Sequence, residues 1–148
     1  MDELFANRIL WTSLAALAFA QVLKVLLVAL TERRLSLGRL VETGGMPSSH
    51  SAAVTSLMVS VGLTQGWGSP LFAVAVVFGV IVMYDATGIR RAAGMHAQMI
   101  NELVEELTHV FDDGFQPQVL KTLLGHTYPQ VFVGAVLGVV TAAALFAL

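Results

Sequence analysis

The sequence contains no cysteine, and this absence excludes disulfide bonds, thiol chemistry and zinc sites built on cysteine. Charged residues are also scarce, at 12% of the chain, whereas apolar residues make up 56%. These proportions lie outside the range of ordinary soluble domains, so lipid is the expected solvent. Lysine and arginine total 8, too few for the basic surface that nucleic acid requires. No nucleic-acid partner is therefore expected.

The 148 residues have room for one domain, and we predict a single integral membrane domain over residues 1–148. About four membrane helices are predicted, in the hydrophobic stretches at residues 9–30, 51–63, 71–84 and 131–148. The second stretch is short and carries serines and threonines, so a buried helix screened from lipid is the alternative. Residues 89–111 predict an amphipathic helix at the interface. The fold class is thus an all-α polytopic membrane bundle.

Arginines follow the first and third hydrophobic stretches, whereas residues 64–70 carry no charge. Because the basic loops of membrane proteins face the cytoplasm, we expect the loop at residues 44–50 on that side. The end of the third stretch and the entry to the last one should share this face. We expect a multi-pass protein of the bacterial inner-membrane type, with membrane lipids around it and both termini outside.

Residues 44–51 read GGMPSSHS, a compact polar loop between two hydrophobic segments. Glycines such as Gly45 allow the backbone to approach a ligand, and a helix N-terminus offers unpaired N–H groups to an anion. Ser48 and Ser49 add hydroxyl groups and are candidate phosphate ligands, and His50 sits where a proton would be needed. The competing interpretation is that Ser48 or Ser49 only caps the next helix.

Ionisable residues at the ends of the first and third stretches are candidates for the same site. Lys24 either snorkels along its own stem to the surface, which is the favoured interpretation, or points inward to bind phosphate. A carboxylate at Asp85 is costly unless it is paired, so we expect an ion pair with Arg90 or Arg39. Arg90 could instead bind a phosphate. Arg91 is interpreted as an interfacial anchor.

His126 stands in the sequence GHTYPQ, residues 125–130, at the entry to the last hydrophobic stretch. If Thr127 or Tyr128 opens that helix, Gln130 lies about one turn along and could hold the imidazole in one tautomer, as a nucleophilic histidine needs. Histidines at helix starts are often only capping or interfacial groups, so that alternative stays open. The two remaining histidines, His96 and His109, are interpreted as surface residues of the amphipathic helix.

These motifs together resemble the divergent branch of the type-2 phosphatidic acid phosphatase superfamily, which also includes bacterial acid phosphatases and vanadium haloperoxidases. The PSSH at residues 47–50 is similar to the superfamily's Pro-Ser-Gly-His motif. MYDATGIRRAAG at residues 83–94 and LGHT at residues 124–127 match the divergent branch more closely. The resemblance extends from about residue 21 to residue 138.

The resemblance implies a phosphatase without metal or cofactor, in which His126 attacks phosphorus to give a phosphohistidine and His50 protonates the leaving oxygen. It implies a phosphate cradle, for which the candidates are Lys24, Arg39, Gly45, Ser48, Ser49 and Arg90. The superfamily's first motif, a lysine followed after six residues by Arg-Pro, is absent, which leaves Lys24, Arg34 or Arg39 as substitutes. Gln130 occupies the position of the last motif's aspartate.

The sequence therefore predicts a membrane phosphatase that hydrolyses a lipid phosphate monoester of the phosphatidate or phosphatidylglycerophosphate type at the cytoplasmic face. The alternative is a non-catalytic protein of the same fold that binds a phospholipid headgroup or a partner protein, and Gln130 favours it. A small transporter ranks last, because the third and fourth stretches carry almost no polar residues. Whether the chain acts alone or as a homodimer is left open.

Overall fold

The computed structural model describes residues 2–33, 44–107, 118–122 and 124–147. In these residues the secondary structure is entirely helical, which confirms the all-α class. The helices are α1 (Asp2–Phe5), α2 (Arg8–Glu32), α3 (Ser49–Gln65), α4 (Pro70–Thr87), α5 (Ile89–Glu106) and α6 (Tyr128–Ala147).

Three helical segments of the described chain are long and apolar enough to cross a membrane. They are Arg8–Glu32, Pro70–Glu106, which joins α4 and α5, and Tyr128–Ala147. Helix α3 has only 17 residues and carries a run of hydroxyl side chains. Its neighbours α2, α4 and α6 all pack against it, so it forms the centre of the bundle. The alternative interpretation of this segment, a helix screened from lipid, agrees with that position.

Small residues line the contact between α6 and α3. Gly134, Gly138 and Ala142 follow one another at four-residue spacing on α6, and all three are buried. A β-carbon at Gly138 would overlap the carbonyl oxygen of Ala52 on α3. Helices in lipid associate through such close backbone packing, because lipid tails remove the hydrophobic drive that acts in water. The row of small residues therefore sets the distance between α3 and α6.

Replacing Gly138 by alanine is expected to lower the stability of the protein in detergent by about 1–3 kcal/mol, because the added methyl group forces the two helices apart. Thermal unfolding followed by circular dichroism measures this loss. The matched control is Gly68→Ala, since a β-carbon at Gly68 meets no atom within 4 Å. Equal melting temperatures for the two variants would contradict the packing argument.

Helices α2 and α6 meet at the end of the bundle opposite to the start of α6. Arg8 Nη2 donates a hydrogen bond to the Leu145 carbonyl oxygen at 2.8 Å, and the guanidinium lies 4.8 Å from the centre of the Phe146 ring. The beginning of α2 and the end of α6 are thus neighbours. Which side of the membrane they occupy stays a prediction.

Helix α5 follows α4 after a break at Gly88 and has one exposed apolar face. This face presents Ile89, Met95, Met99, Ile100, Leu103 and Leu107. A different side of the helix is fixed to residues 118–122, because the Asn101 amide donates to the Leu120 carbonyl at 2.9 Å and accepts from the Leu120 N–H at 3.0 Å. The predicted amphipathic helix is present as far as Glu106, and its placement at the membrane interface stays a prediction.

Candidate active site

The structure brings together two histidines that lie far apart in the sequence. His50 is the second residue of α3, and His126 stands two residues before α6. The centres of their rings are 6.4 Å apart, and the ring planes are inclined by 60°. His126 is buried and His50 is partly buried. A separation of this size allows one small group to contact both imidazoles.

Backbone hydrogen bonds hold the two histidines in this arrangement. The N–H of Ser48 donates to the carbonyl oxygen of Gln130 at 3.1 Å, which joins the start of α3 to the first turn of α6. The N–H of His126 donates to the carbonyl oxygen of Ala86 at 2.8 Å, which joins the same region to the end of α4. Gly134 completes the contact, because a β-carbon there would overlap the Ser48 carbonyl.

Gln130 contacts His126 as its spacing predicts. Its Oε1 atom lies 3.3 Å from His126 Nδ1 and accepts a hydrogen bond from the Thr127 N–H at 3.0 Å. The hydrogen bond from the Thr127 N–H is half of a capping box, in which a glutamine at the third helical position satisfies a free N–H at the helix start. One oxygen therefore both caps α6 and holds the catalytic candidate His126.

Lys24 points into the bundle, so the favoured interpretation that it snorkels to the surface is wrong. Only 2% of its surface is exposed. Its methylene stem packs beside Gly45, where an added β-carbon would lie 3.5 Å from the Lys24 Cδ atom. Gly45 has φ +78°, a backbone conformation that favours glycine, and its backbone borders the Lys24 stem. The Lys24 charge is close enough to influence His126.

The environment of His126 favours its neutral form. Burial, the largest effect, lowers the pKa of His126 from its ordinary value. The charges of Lys24 and His50 lower this pKa further, whereas hydrogen bonds to Gln130 and to the Gly45 backbone oppose the shift. A neutral imidazole carries a free ring nitrogen, so His126 is suited to nucleophilic attack at neutral pH.

Asp85 and Arg90 form the expected ion pair, with Arg90 Nε donating to Asp85 Oδ2. Half of the Arg90 side chain is exposed. Together with both histidines, this pair lines a cavity of about 20 Å³, which also includes Val82, Ala86 and Gly125. The other expected partner of Asp85, Arg39, lies outside the described residues.

The serines of the loop contribute to helix capping. Ser48 precedes α3, and its Oγ atom accepts hydrogen bonds from the Ser51 N–H at 3.3 Å and from the Ser51 hydroxyl at 2.9 Å. Ser48 and Ser49 are both buried, and neither is among the residues that line the cavities beside His126. The capping interpretation is therefore correct for the Ser48 side chain. No pattern in the sequence distinguishes Ser51 as the partner of Ser48.

A larger recess of about 220 Å³ lies on the Gln130 side of His126. It is lined by Gly44, Gly45, Arg91, Gly94, Met95, Gln98, Thr122, Leu124, Gly125, His126, Thr127 and Gln130. Arg91 was predicted to be an interfacial anchor, yet it belongs to this lining. Within the described ranges, no three histidine, aspartate or glutamate side chains form a group that could hold a metal ion.

Comparison with known proteins agrees with the motif resemblance. Residues 5–141 match the model of the Divergent PAP2 family. The chain is also 44% identical over 146 residues to the "Uncharacterized membrane protein YuiD" of Bacillus subtilis (strain 168), a match that covers 93% of this chain and 92% of that protein. No solved structure matches the chain significantly.

Proposed function

Since the chain belongs to the Divergent PAP2 family, whose members are membrane proteins related to phosphatases, we propose that it hydrolyses a lipid phosphate monoester. The observation that carries this proposal is the distance of 6.4 Å between the His50 and His126 rings. It suits a reaction in which one imidazole attacks phosphorus while the other serves the leaving oxygen. Phosphoryl transfer needs little more than such positioning and charge stabilisation.

In the first step, a ring nitrogen of His126 attacks phosphorus and forms an N–P bond. The bond between phosphorus and the lipid oxygen breaks, and His50, which enters the step protonated although burial lowers its pKa, donates its proton to that oxygen, so that the lipid leaves as an alcohol. Gln130 supports the attack because it fixes the orientation of the His126 ring. The burial that keeps His126 neutral also favours this step.

In the second step, a water molecule attacks the phosphohistidine in line with the N–P bond. His50, now neutral, accepts a proton from this water, the N–P bond breaks, and inorganic phosphate leaves. Both imidazoles return to their starting forms. The alternating role of His50 requires that it contact first the leaving oxygen and then the water, and its position opposite His126 allows this.

Positive groups around the histidines stabilise the oxygens of the transferred phosphoryl group. The buried Lys24 ammonium acts with little screening by water, and Arg90 adds a guanidinium whose orientation Asp85 fixes. The Gly45 backbone borders the larger recess on the Gln130 side of His126. In this proposal the serines Ser48 and Ser49 hold the start of α3 in place, and Arg39 is a further candidate cation.

We propose that the site faces the cytoplasm, because the arginines follow the first and third hydrophobic stretches. A substrate from the inner leaflet, such as phosphatidate or phosphatidylglycerophosphate, fits that orientation. Reporter fusions at residues 64–70 and within residues 34–43 test it. A cytoplasmic signal from the first position, together with an external one from the second, would contradict the orientation and leave the chemistry intact.

The test of the proposed activity is phosphate release by the purified protein from short-chain phosphatidate and phosphatidylglycerophosphate in mixed micelles. Release is expected to depend on both histidines, so His50→Ala and His126→Ala are assayed beside the unaltered protein. Absence of release, together with tight binding of the lipid headgroup, would favour the alternative function.

That alternative is a non-catalytic protein that binds a phospholipid headgroup or a partner protein. One observation favours it: the group that contacts His126 is the neutral amide of Gln130, and its oxygen is shared with the Thr127 N–H. A carboxylate at this place would stabilise the imidazolium, which an amide does much less well.

Replacing Gln130 by glutamate is therefore expected to raise kcat by about tenfold, because the carboxylate keeps the same reach and adds the missing charge. The negative charge should also raise the His126 pKa. Attack needs neutral His126, so activity falls when acidification protonates this residue. In Gln130→Glu this fall should occur at a higher pH than in the unaltered protein. The pH profile of kcat/KM measures this shift.

Gln130→Met is the control for this experiment, because methionine has similar length but no oxygen to orient His126 or to cap α6. Its kcat should fall. If the glutamate and methionine variants behave alike, Gln130 has no orienting role.

A further inference from the structure

Arg91 occupies a position at the site that its place in the sequence does not indicate. It lines the recess of about 220 Å³ that borders His126, Gln130 and Gly45. Arg90, the preceding residue, lines the small cavity on the His50 side instead. Consecutive residues of a helix point in directions about 100° apart, so the side chains of Arg90 and Arg91 leave α5 in different directions and border different cavities.

The two sides differ in the room that they offer. A cavity of about 20 Å³ between His50, His126 and Arg90 accommodates about one water molecule. The recess beside Arg91 is roughly ten times larger. When a phosphoryl group is bound at His126, the oxygens that do not face His50 can therefore extend into the recess.

The two sides also differ in charge. Arg90 is paired with Asp85, so part of its charge is compensated. The described lining of the recess contains Arg91 and no carboxylate, and its other polar side chains are neutral: Gln98, Thr122, Thr127 and Gln130, with His126 between the two cavities. An anion that enters the recess therefore meets a positive group and neutral hydrogen-bonding partners, while the Glu102 carboxylate, which accepts a hydrogen bond from Gln98 Nε2 at 2.8 Å, is not part of the lining.

The backbone of Arg91 is held close to His126. A β-carbon at Gly125 would overlap the backbone nitrogen of Arg91, so the residue before His126 must be glycine for this approach. One turn further along α5, a β-carbon at Gly94 would lie 2.7 Å from the Thr122 carbonyl oxygen. Two close contacts thus fix the first turns of α5 against the segment that carries His126.

We propose that Arg91 is a phosphate ligand of this site, and the stronger of the two neighbouring guanidinium groups. In this assignment it binds non-bridging oxygens of the transferred phosphoryl group in the recess, while His50 serves the leaving oxygen on the opposite side. The assignment rests on the proposed function for its substrate, a phosphate monoester. It replaces the interpretation of Arg91 as an interfacial anchor.

The test compares Arg91→Gln, Arg91→Lys and Arg90→Gln in the full-length protein in detergent micelles. Arg91→Gln is expected to lower kcat/KM for short-chain phosphatidate about 50-fold, because one charge-assisted pair of hydrogen bonds is lost. Arg91→Lys should retain an intermediate rate, since lysine keeps the charge but not the fork of donors. Arg90→Gln should lose less than tenfold.

The matched control is Arg8→Gln, which removes one positive charge at the opposite end of the bundle, where Arg8 donates to Leu145. Its kcat/KM should equal that of the unaltered protein. Helix content by circular dichroism and elution as a single species show whether each variant is folded.

Equilibrium binding of inorganic vanadate provides a measurement that needs no turnover. Arg91→Gln should weaken vanadate binding by a factor similar to its loss in kcat/KM. Normal vanadate affinity and kcat/KM within threefold of the unaltered protein would overturn the assignment of Arg91. If the unaltered protein binds vanadate through Arg91 but releases no phosphate, the assignment stands and the proposed catalysis fails.

Discussion

Replacing His126 by alanine is expected to lower kcat for phosphate release by about a thousandfold or more, because the proposed reaction then lacks its nucleophile. His126 is buried, contacts Gln130, and its ring centre lies 6.4 Å from that of His50. No other described histidine shares this position, since His96 lies exposed on α5. His96→Ala is therefore the matched control, and its activity should remain normal.

The measurement combines initial rates with trapping of the intermediate. Brief incubation with substrate labelled at phosphorus, followed by denaturation in alkali, should leave label on the unaltered protein and none on His126→Ala. Acid treatment should remove the label, as expected for an N–P bond. Substantial activity of His126→Ala, or label on another residue, would contradict the proposed mechanism.

Replacing Lys24 by methionine is expected to lower kcat/KM by about 300-fold, because a buried ammonium next to developing negative charge acts in a medium of low polarity. Methionine keeps an unbranched stem of similar size, so the packing beside Gly45 should survive. Helix content and melting temperature in detergent are measured alongside the rate. The expected result is a large loss of activity with little loss of structure.

Lys121→Met serves as the control, because Lys121 is exposed on the segment at residues 118–122. Its activity should match that of the unaltered protein. An active Lys24→Met variant would show that the Lys24 ammonium does not act on the phosphoryl group, and the positive charge of the site would then have to come from the arginines.

The sequence predicted the helices well, because hydropathy and helical spacing are local properties. It did not show whether α3 crosses the membrane in contact with lipid or is buried among the other helices, since a short helix with many hydroxyl groups suits both positions. The row of small residues on α6 explains the observed packing. Gly134 and Gly138 let the α3 backbone approach closely, so the polar side chains of α3 face neighbouring helices.

The site was predicted in part. The contact between Gln130 and His126 follows from a spacing of one helical turn. The approach of His50 to His126 depends on tertiary packing: the charge pattern placed both histidines at one face of the membrane, and only the motif resemblance joined them in one site. The direction of Lys24 could not be predicted, because its flexible stem reaches the surface and the interior equally well. The position of Arg91 in the recess beside His126 could not be predicted, because a basic residue after a membrane span is usually an anchor.

The most direct test of the central claim is an experimental structure of the protein with orthovanadate, which imitates a phosphoryl group in transfer. Vanadium is expected within bonding distance of a His126 ring nitrogen, with His50 on the opposite side and the Lys24 ammonium nearby. Vanadate bound elsewhere, or His50 and His126 facing away from a common ligand, would exclude a phosphoryl site shared by the two histidines.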